Sequence, residues 1–119
     1  MKQTATNVAQ RLHEAIDQRD AEALLSLYAD TAEMRIVDRM HPPSKPLEMH
    51  GKRQISEYFH DIFSRDMTHR IEDEVIGDDR LAFMEACQYP DGLRVVTSSI
   101  LQLQDGKIVH EVDVQEWDE

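Results

Sequence analysis

The feature that most restricts what this chain can fold into is a change of hydrophobic period close to residue 65. Beyond it, four long stretches alternate in the manner of strands: 68–76, 80–89, 93–104 and 107–117. They are divided by Gly77-Asp78-Asp79, Pro90-Asp91-Gly92 and Asp105-Gly106, all of them turn chemistry, and Asp-Gly favours a tight hairpin. Before it, apolar residues recur at helical spacing. Val8, Leu12, Ala15 and Ile16 form a stripe on a helix expected over 6–19, with Thr6 or Asn7 as its cap. Asp20 is placed to cap a short second helix carrying Leu24, Leu27 and Tyr28 on one face. Ile55, Tyr58, Phe59, Ile62 and Phe63 mark a third helix over 52–64. Between the second and third helices lie a strand with Met34, Ile36 and Asp38 on one side, a proline-rich loop over 40–46, and a short strand over 47–50 ended by Gly51. Helices first and an antiparallel meander afterwards predict an α+β layer fold with helices covering one face of a curved sheet.

A chain of 119 residues fits one core, so a single domain over 1–119 is expected. No apolar run approaches the ~20 residues that span a bilayer, and residues 1–4 lead into polar helical sequence without a signal-like apolar segment. A soluble protein of the cytoplasm, with no membrane partner, is the expectation. The net charge of −11, with no basic stripe to offset it, argues against nucleic acid. Cys87 is the only cysteine, which leaves no disulfide within the chain and suits a small buried hydrophobe. The six histidines are scattered, and no H-E-x-x-H or comparable set points to a metal. Neither a metal nor a cofactor is expected.

Three local stretches sharpen the fold. The segment 20–30, DAEALLSLYAD, resembles the "GD…A…LYADD" passage of ketosteroid isomerases and SnoaL-like proteins. His50-Gly51-Lys52-Arg53-Gln54-Ile55 resembles the "HG…QI" lead into their third helix, and Asp105-Gly106-Lys107-Ile108 followed by Trp117-Asp118 is similar to their last hairpin and terminal strand. In order and context the chain resembles the nuclear-transport-factor-2-like superfamily over nearly its whole length. The resemblance implies a cone-shaped half-barrel of curved antiparallel sheet, with three helices over its concave face and an apolar pocket between them. It also implies a homodimer through the outer face of the sheet. The stretch 80–89 agrees, being largely apolar on both faces and so needing cover on both.

The catalytic groups of ketosteroid isomerase do not carry over. Its base, tyrosine and protonated carboxylic acid fall near Ile36, on Leu12 and near Ser99. Asp38, two residues after Ile36, is the remaining candidate for a general base among apolar neighbours. His69 opens a strand where many SnoaL-like enzymes carry a histidine, and a plain turn at Asp78-Asp79 sets it with Ile71, Met84 and Ala86. The last strand divides into Ile108, His110, Val112 and Val114 against Glu111, Asp113, Gln115 and Trp117. A two-residue turn at Asp105-Gly106 sets Val112 opposite Ser99 and keeps the acids out of the pocket; the resemblance turns Glu111, Asp113 and Gln115 into it. A bulge near the turn reconciles a tight hairpin with inward acids.

Two functions remain. One is a small enzyme acting by acid–base chemistry on an apolar carbonyl-bearing or polycyclic molecule, with Asp38 and His69 moving protons, Glu111 or Asp113 in support, and Tyr28 and Tyr58 orienting the substrate. The other is a non-catalytic member of the same fold that binds a small apolar molecule or a protein partner. Inward-facing Asp38, His69 and Asp113 favour the enzyme. A pocket lined only by Leu12, Met34, Ile36, Phe59 and Met84 favours the binder.

Overall fold

A computed structural model describes residues 2–118, apart from the side chain of Lys2. The elements run α1 (Lys2–Asp17), α2 (Ala21–Leu25), β1 (Tyr28–Val37), β2 (Leu47–His50), α3 (Lys52–Ser64), β3 (Thr68–Ile76), β4 (Arg80–Gln88), β5 (Arg94–Gln104) and β6 (Lys107–Trp117). The six strands form one curved, unclosed sheet in the order β2-β1-β6-β5-β4-β3. The pairing is antiparallel except between β1 and β6, which run parallel. The helices lie on the concave face, where Leu12, Ile16, Leu24 and Ile55 join Met34, Ile36, Leu81, Leu101 and Ile108 in one buried core.

Helix α1 begins earlier than the Thr6 or Asn7 cap predicts and stops at a Schellman-type end. There Arg19 takes a positive φ of 51°, and the Asp20 amide donates to the Ala15 carbonyl at 2.9 Å. Asp20 does cap α2, its Oδ1 accepting from the Ala23 amide at 3.0 Å. Leu27 and Tyr28, expected on that helix, lie outside it. The Leu27 carbonyl accepts from the Ile108 amide at 2.8 Å and Tyr28 pairs with Ile108, so strand β6 captures the chain before a second helical turn can form.

Two of the three long hairpins contain an irregularity of one residue. At Asp105-Gly106 both φ angles are positive, 53° and 76°, the conformation of a type I′ turn, and Gln104 pairs with Lys107 as such a turn requires. The register then shifts: Leu103 pairs with Ile108 but Gln102 pairs with His110, leaving Val109 as an extra residue. Ile108 therefore faces the core, as the plain hairpin predicts. Glu111 and Asp113 face it too, opposite Leu101 and Ser99, as the resemblance predicts. A second bulge lies in β3, where Asp73 has a φ of 52° and the register shifts between Glu72 and Val75. It moves His69 from the predicted neighbours Met84 and Ala86 to the face shared with Glu85 and Cys87. Met84, expected beside His69, lies on the opposite face from it.

Candidate active site

Between the helices and the concave face lies a cavity of about 290 Å³. Its inner walls come from Leu12 and Ile16 of α1, Leu24 of α2, and Tyr58, Phe59, Ile62 and Phe63 of α3. The sheet contributes Tyr28, His69, Phe83, Glu85, Cys87, Thr97, Ser99, Glu111, Asp113 and Gln115. At the open end stand Asp38, Arg39, Met40, His41, Arg65, Tyr89 and Trp117, of which Met40 is 76% exposed.

The deepest polar cluster is on β6. Tyr28 donates its hydroxyl hydrogen to Glu111 Oε1 in a short hydrogen bond. Protonated Glu111 donates to Asp113, which also accepts from Ser99. Burial raises the pKa of Glu111 well above the ordinary range, and the neighbouring Asp113 raises it further. Burial also raises Asp113, to about 6, against the opposing effect of its hydrogen bonds from Glu111 and Ser99. Two carboxyl groups so close in a dry site share a proton more readily than both ionise. The Tyr28 hydroxyl is held protonated by burial and by Glu111.

A second cluster joins β3 and β4. His69 Nδ1 lies 2.8 Å from Glu85 Oε2, and the His69 side chain is only 2% exposed. A carboxylate only accepts, so Nδ1 carries the proton in this pair, and the neutral tautomer that this selects has its lone pair on Nε2. Cys87 Sγ is 3.3 Å from the same Nδ1 and donates to Glu85 at 3.4 Å. Burial, followed by Glu85, pushes the thiol pKa up, so Cys87 is a poor nucleophile. His69, Glu85 and Cys87 offer ligand atoms within 4.8 Å of one another, the one such group among the described residues that a metal ion would fit.

Toward the open end, Gln115 Nε2 donates to the Tyr58 hydroxyl at 3.2 Å, and Gln115 Oε1 accepts from Trp117 Nε1 at 3.3 Å. Arg39 stacks over the Trp117 ring at 4.1 Å, and Arg65 donates to the Tyr89 hydroxyl at 3.1 Å. Asp38 is tied into this rim, accepting from the Met40 amide at 2.9 Å and from His41 Nδ1 at 2.8 Å.

Of the residues singled out from sequence, Leu12, Tyr28, Tyr58, Phe59, His69, Ser99, Glu111 and Asp113 meet in the cavity, with Asp38 at its open end. Met34 and Ile36 do not line it. They are 2% and 0% exposed, consumed in the core beneath β1. Met84 lies on the convex side with Ala82 and Ala86, because the unbroken β4–β5 ladder turns Leu81, Phe83 and Cys87 inward. Glu85 and Gln115 were not assigned a role. The signal for Glu85 is that it is the single acid in the otherwise apolar run Leu81–Cys87.

This is the nuclear-transport-factor-2-like architecture: a curved sheet with helices on its concave side and a small-molecule-sized cavity between them. The SnoaL-like domain matches residues 9–111, and the chain belongs to that family. Solved structures agree on the fold. An NTF2-like protein of unknown function from Mesorhizobium loti is 17% identical with a TM-score of 0.85, the match covering 97% of this chain and 93% of that one. A putative ketosteroid isomerase from Kribbella flavida is 16% identical with a TM-score of 0.78, covering 98% and 79%. A putative isomerase from Bacillus subtilis is 18% identical with a TM-score of 0.74, covering 96% and 87%. No curated protein matches the sequence. No described helix is long and apolar enough to cross a membrane.

Proposed function

We propose that this protein is an acid–base enzyme acting on a small, largely apolar molecule that carries a carbonyl group or fused rings. One observation carries the reading. Among the described residues, the buried side-chain nitrogen and oxygen atoms left without a hydrogen-bond partner are His69 Nε2 and Asp113 Oδ1, and both residues line the same cavity. A buried polar atom without a partner is costly, by about 1–3 kcal/mol, and two in one cavity mark where a ligand completes the bonding. His69 Nε2 is the proton acceptor, and Glu85 fixes the tautomer that makes it one. The Glu111–Asp113 pair holds a second proton that can be passed on or returned. Tyr58 accepts from Gln115 and so keeps its own hydrogen to give to a carbonyl oxygen. Asp38, bound to His41 at the rim, guards access rather than reacting.

The test is exchange of the α-hydrogens of 2-tetralone, a bicyclic ketone, followed by NMR in deuterated water. The protein is expected to accelerate it, and His69→Gln and Asp113→Asn to slow it by roughly 10²–10⁴-fold, the usual worth of a positioned acid or base. Exchange at the buffer rate with the folded wild type would sink the catalytic reading.

The convex face supports a homodimer. Met84, Val96, Ile100, Val112 and Val114 form an apolar patch around Ser98 across β4, β5 and β6, with Ile100 52% and Val114 50% exposed. A second copy of the chain is the partner we assign to it. Light scattering should give twice the chain mass, and Ile100→Glu should return the protein to one chain; a wild-type monomer would refute the assignment.

A further inference from the structure

The cavity has an imbalance that its apolar walls conceal. Its inner part holds three carboxyl groups, Glu85 on β4 and Glu111 and Asp113 on β6, with β5 between the two strands. The groups that act on Glu111 and Asp113 are Tyr28, Ser99, each other and Glu85: hydroxyls and further acids, with no cation among them. The arginines that line the cavity, Arg39 and Arg65, stand at its open end, held by Trp117 and Tyr89. Both unpartnered buried atoms, Asp113 Oδ1 and His69 Nε2 in the tautomer set by Glu85, are acceptors. What the site lacks is therefore a donor, and a positive one.

Aromatic rings stand along the same space. Tyr28 and Phe59 have ring centroids 5.5 Å apart, Tyr58 and Phe59 5.8 Å, and Phe59 and Phe63 6.3 Å. Ring faces carry negative potential, and a cation placed against them gains more as water is excluded. A cavity of about 290 Å³ is at the small end of the ligand-site range, which suits a body of about two rings.

We propose that the ligand carries a protonated amine on an aromatic or bicyclic body, its ammonium group directed inward to donate to Asp113 Oδ1, with His69 Nε2 as a further acceptor. The proposal rests on the reading of the cavity as a small-molecule site, and not on turnover there.

Three molecules of one shape separate charge from size: 2-aminotetralin, 2-methyltetralin and tetralin-2-carboxylate. Calorimetric titration at pH 7, seconded by the fluorescence of Trp117, the only tryptophan, reads each affinity. The amine is expected to bind about tenfold tighter than either isostere or better, a difference of ~1.4 kcal/mol. Asp113→Asn should erase that preference while leaving the neutral molecule unaffected. The wild type supplies a second reading should that variant not fold. The groups that act on Asp113 or share its cavity are Glu111 on its own strand, Ser99 on β5, Glu85 on β4, His69 on β3, Tyr28 on β1 and Tyr58 on α3. Asp113 must be ionised to hold a cation, so amine affinity should fall on going from pH 7 to pH 5, with protons released on binding, while the neutral isostere binds alike at both. Equal affinity for the amine and the neutral molecule, tighter binding of the carboxylate, or no binding of any of the three overturns the proposal. None of these outcomes bears on ketone exchange, so the catalytic reading stands or falls separately.

Discussion

The hairpin of β4 and β5 keeps one register throughout, from Gln88 opposite Arg94 to Arg80 opposite Gln102. The hairpins on either side of it do not: Val109 interrupts β5–β6 and Asp73 interrupts β3–β4. In the regular ladder the sequence alternation is also the burial alternation, with every second residue of β5 from Val95 to Leu103 buried. In the bulged ladders one extra residue turns the rest of the strand over. The difference teaches where this fold keeps its chemistry. The regular hairpin mostly supplies wall, and the bulges bring His69, Glu111 and Asp113 inward.

The sharpest way to break that contrast is to insert one alanine between Val109 and His110. With the same one-residue bulge the added residue falls opposite Gln102, sets Val112 opposite Ser99 and drives Glu111 and Asp113 to the convex face. A loss of about 4 kcal/mol or more is expected, beyond most single changes, and urea denaturation followed by circular dichroism measures it. An intact protein with unchanged stability would show that the facing of Glu111 and Asp113 does not depend on the residue count at the bulge. Next in size is Leu101→Ala, on the regular strand directly opposite Glu111 and fully buried. Removing it should cost about 2–5 kcal/mol in the same assay.

Glu111 itself should behave in the opposite sense. Both buried acids keep protons in the folded chain at pH values where the unfolded chain has released them. Stability must therefore fall as pH rises from about 4 through about 6, the interval between the ordinary aspartate value and that of Asp113. Glu111→Gln mimics the protonated acid, keeps an acceptor for Tyr28, and should flatten this dependence. It should gain ~1 kcal/mol or more at pH 7, the worth of one unit of displaced ionisation, and nothing near pH 4. Melting curves across pH 4–8 decide it. The smallest effect belongs to the other bulge: Asp73→Gly removes a side chain from a φ of 52° and should raise stability by roughly 0.5–1 kcal/mol, read as a rise in Tm.

How much was legible depends on what each irregular strand carries. In β3 the signal was present. Ile71 and Ile76 both pack on the core although five residues apart, an odd spacing that a regular strand cannot bury on one face, so a bulge is required between them. In β6 no such signal exists, because beyond Val109 the inward positions are acids and the outward ones are valines. Local pattern there points the wrong way, and only the resemblance to a known family pointed the right way. The short second helix fails for a related reason: Leu27 and Tyr28 continue its apolar stripe, but hydrogen bonds from a strand 80 residues later in the chain claim them first.

The sequence by itself determined the order of helices and strands and the turn chemistry, because these depend on spacing and composition within short stretches. Tertiary structure decided which face each residue occupies after a bulge, that Met34 and Ile36 are core while Glu85 lines a cavity, and that burial raises the pKa of the neighbouring Glu111 and Asp113 carboxyls. Those outcomes depend on partners distant in the chain and on exclusion of water, and neither is written in the local alternation of residues.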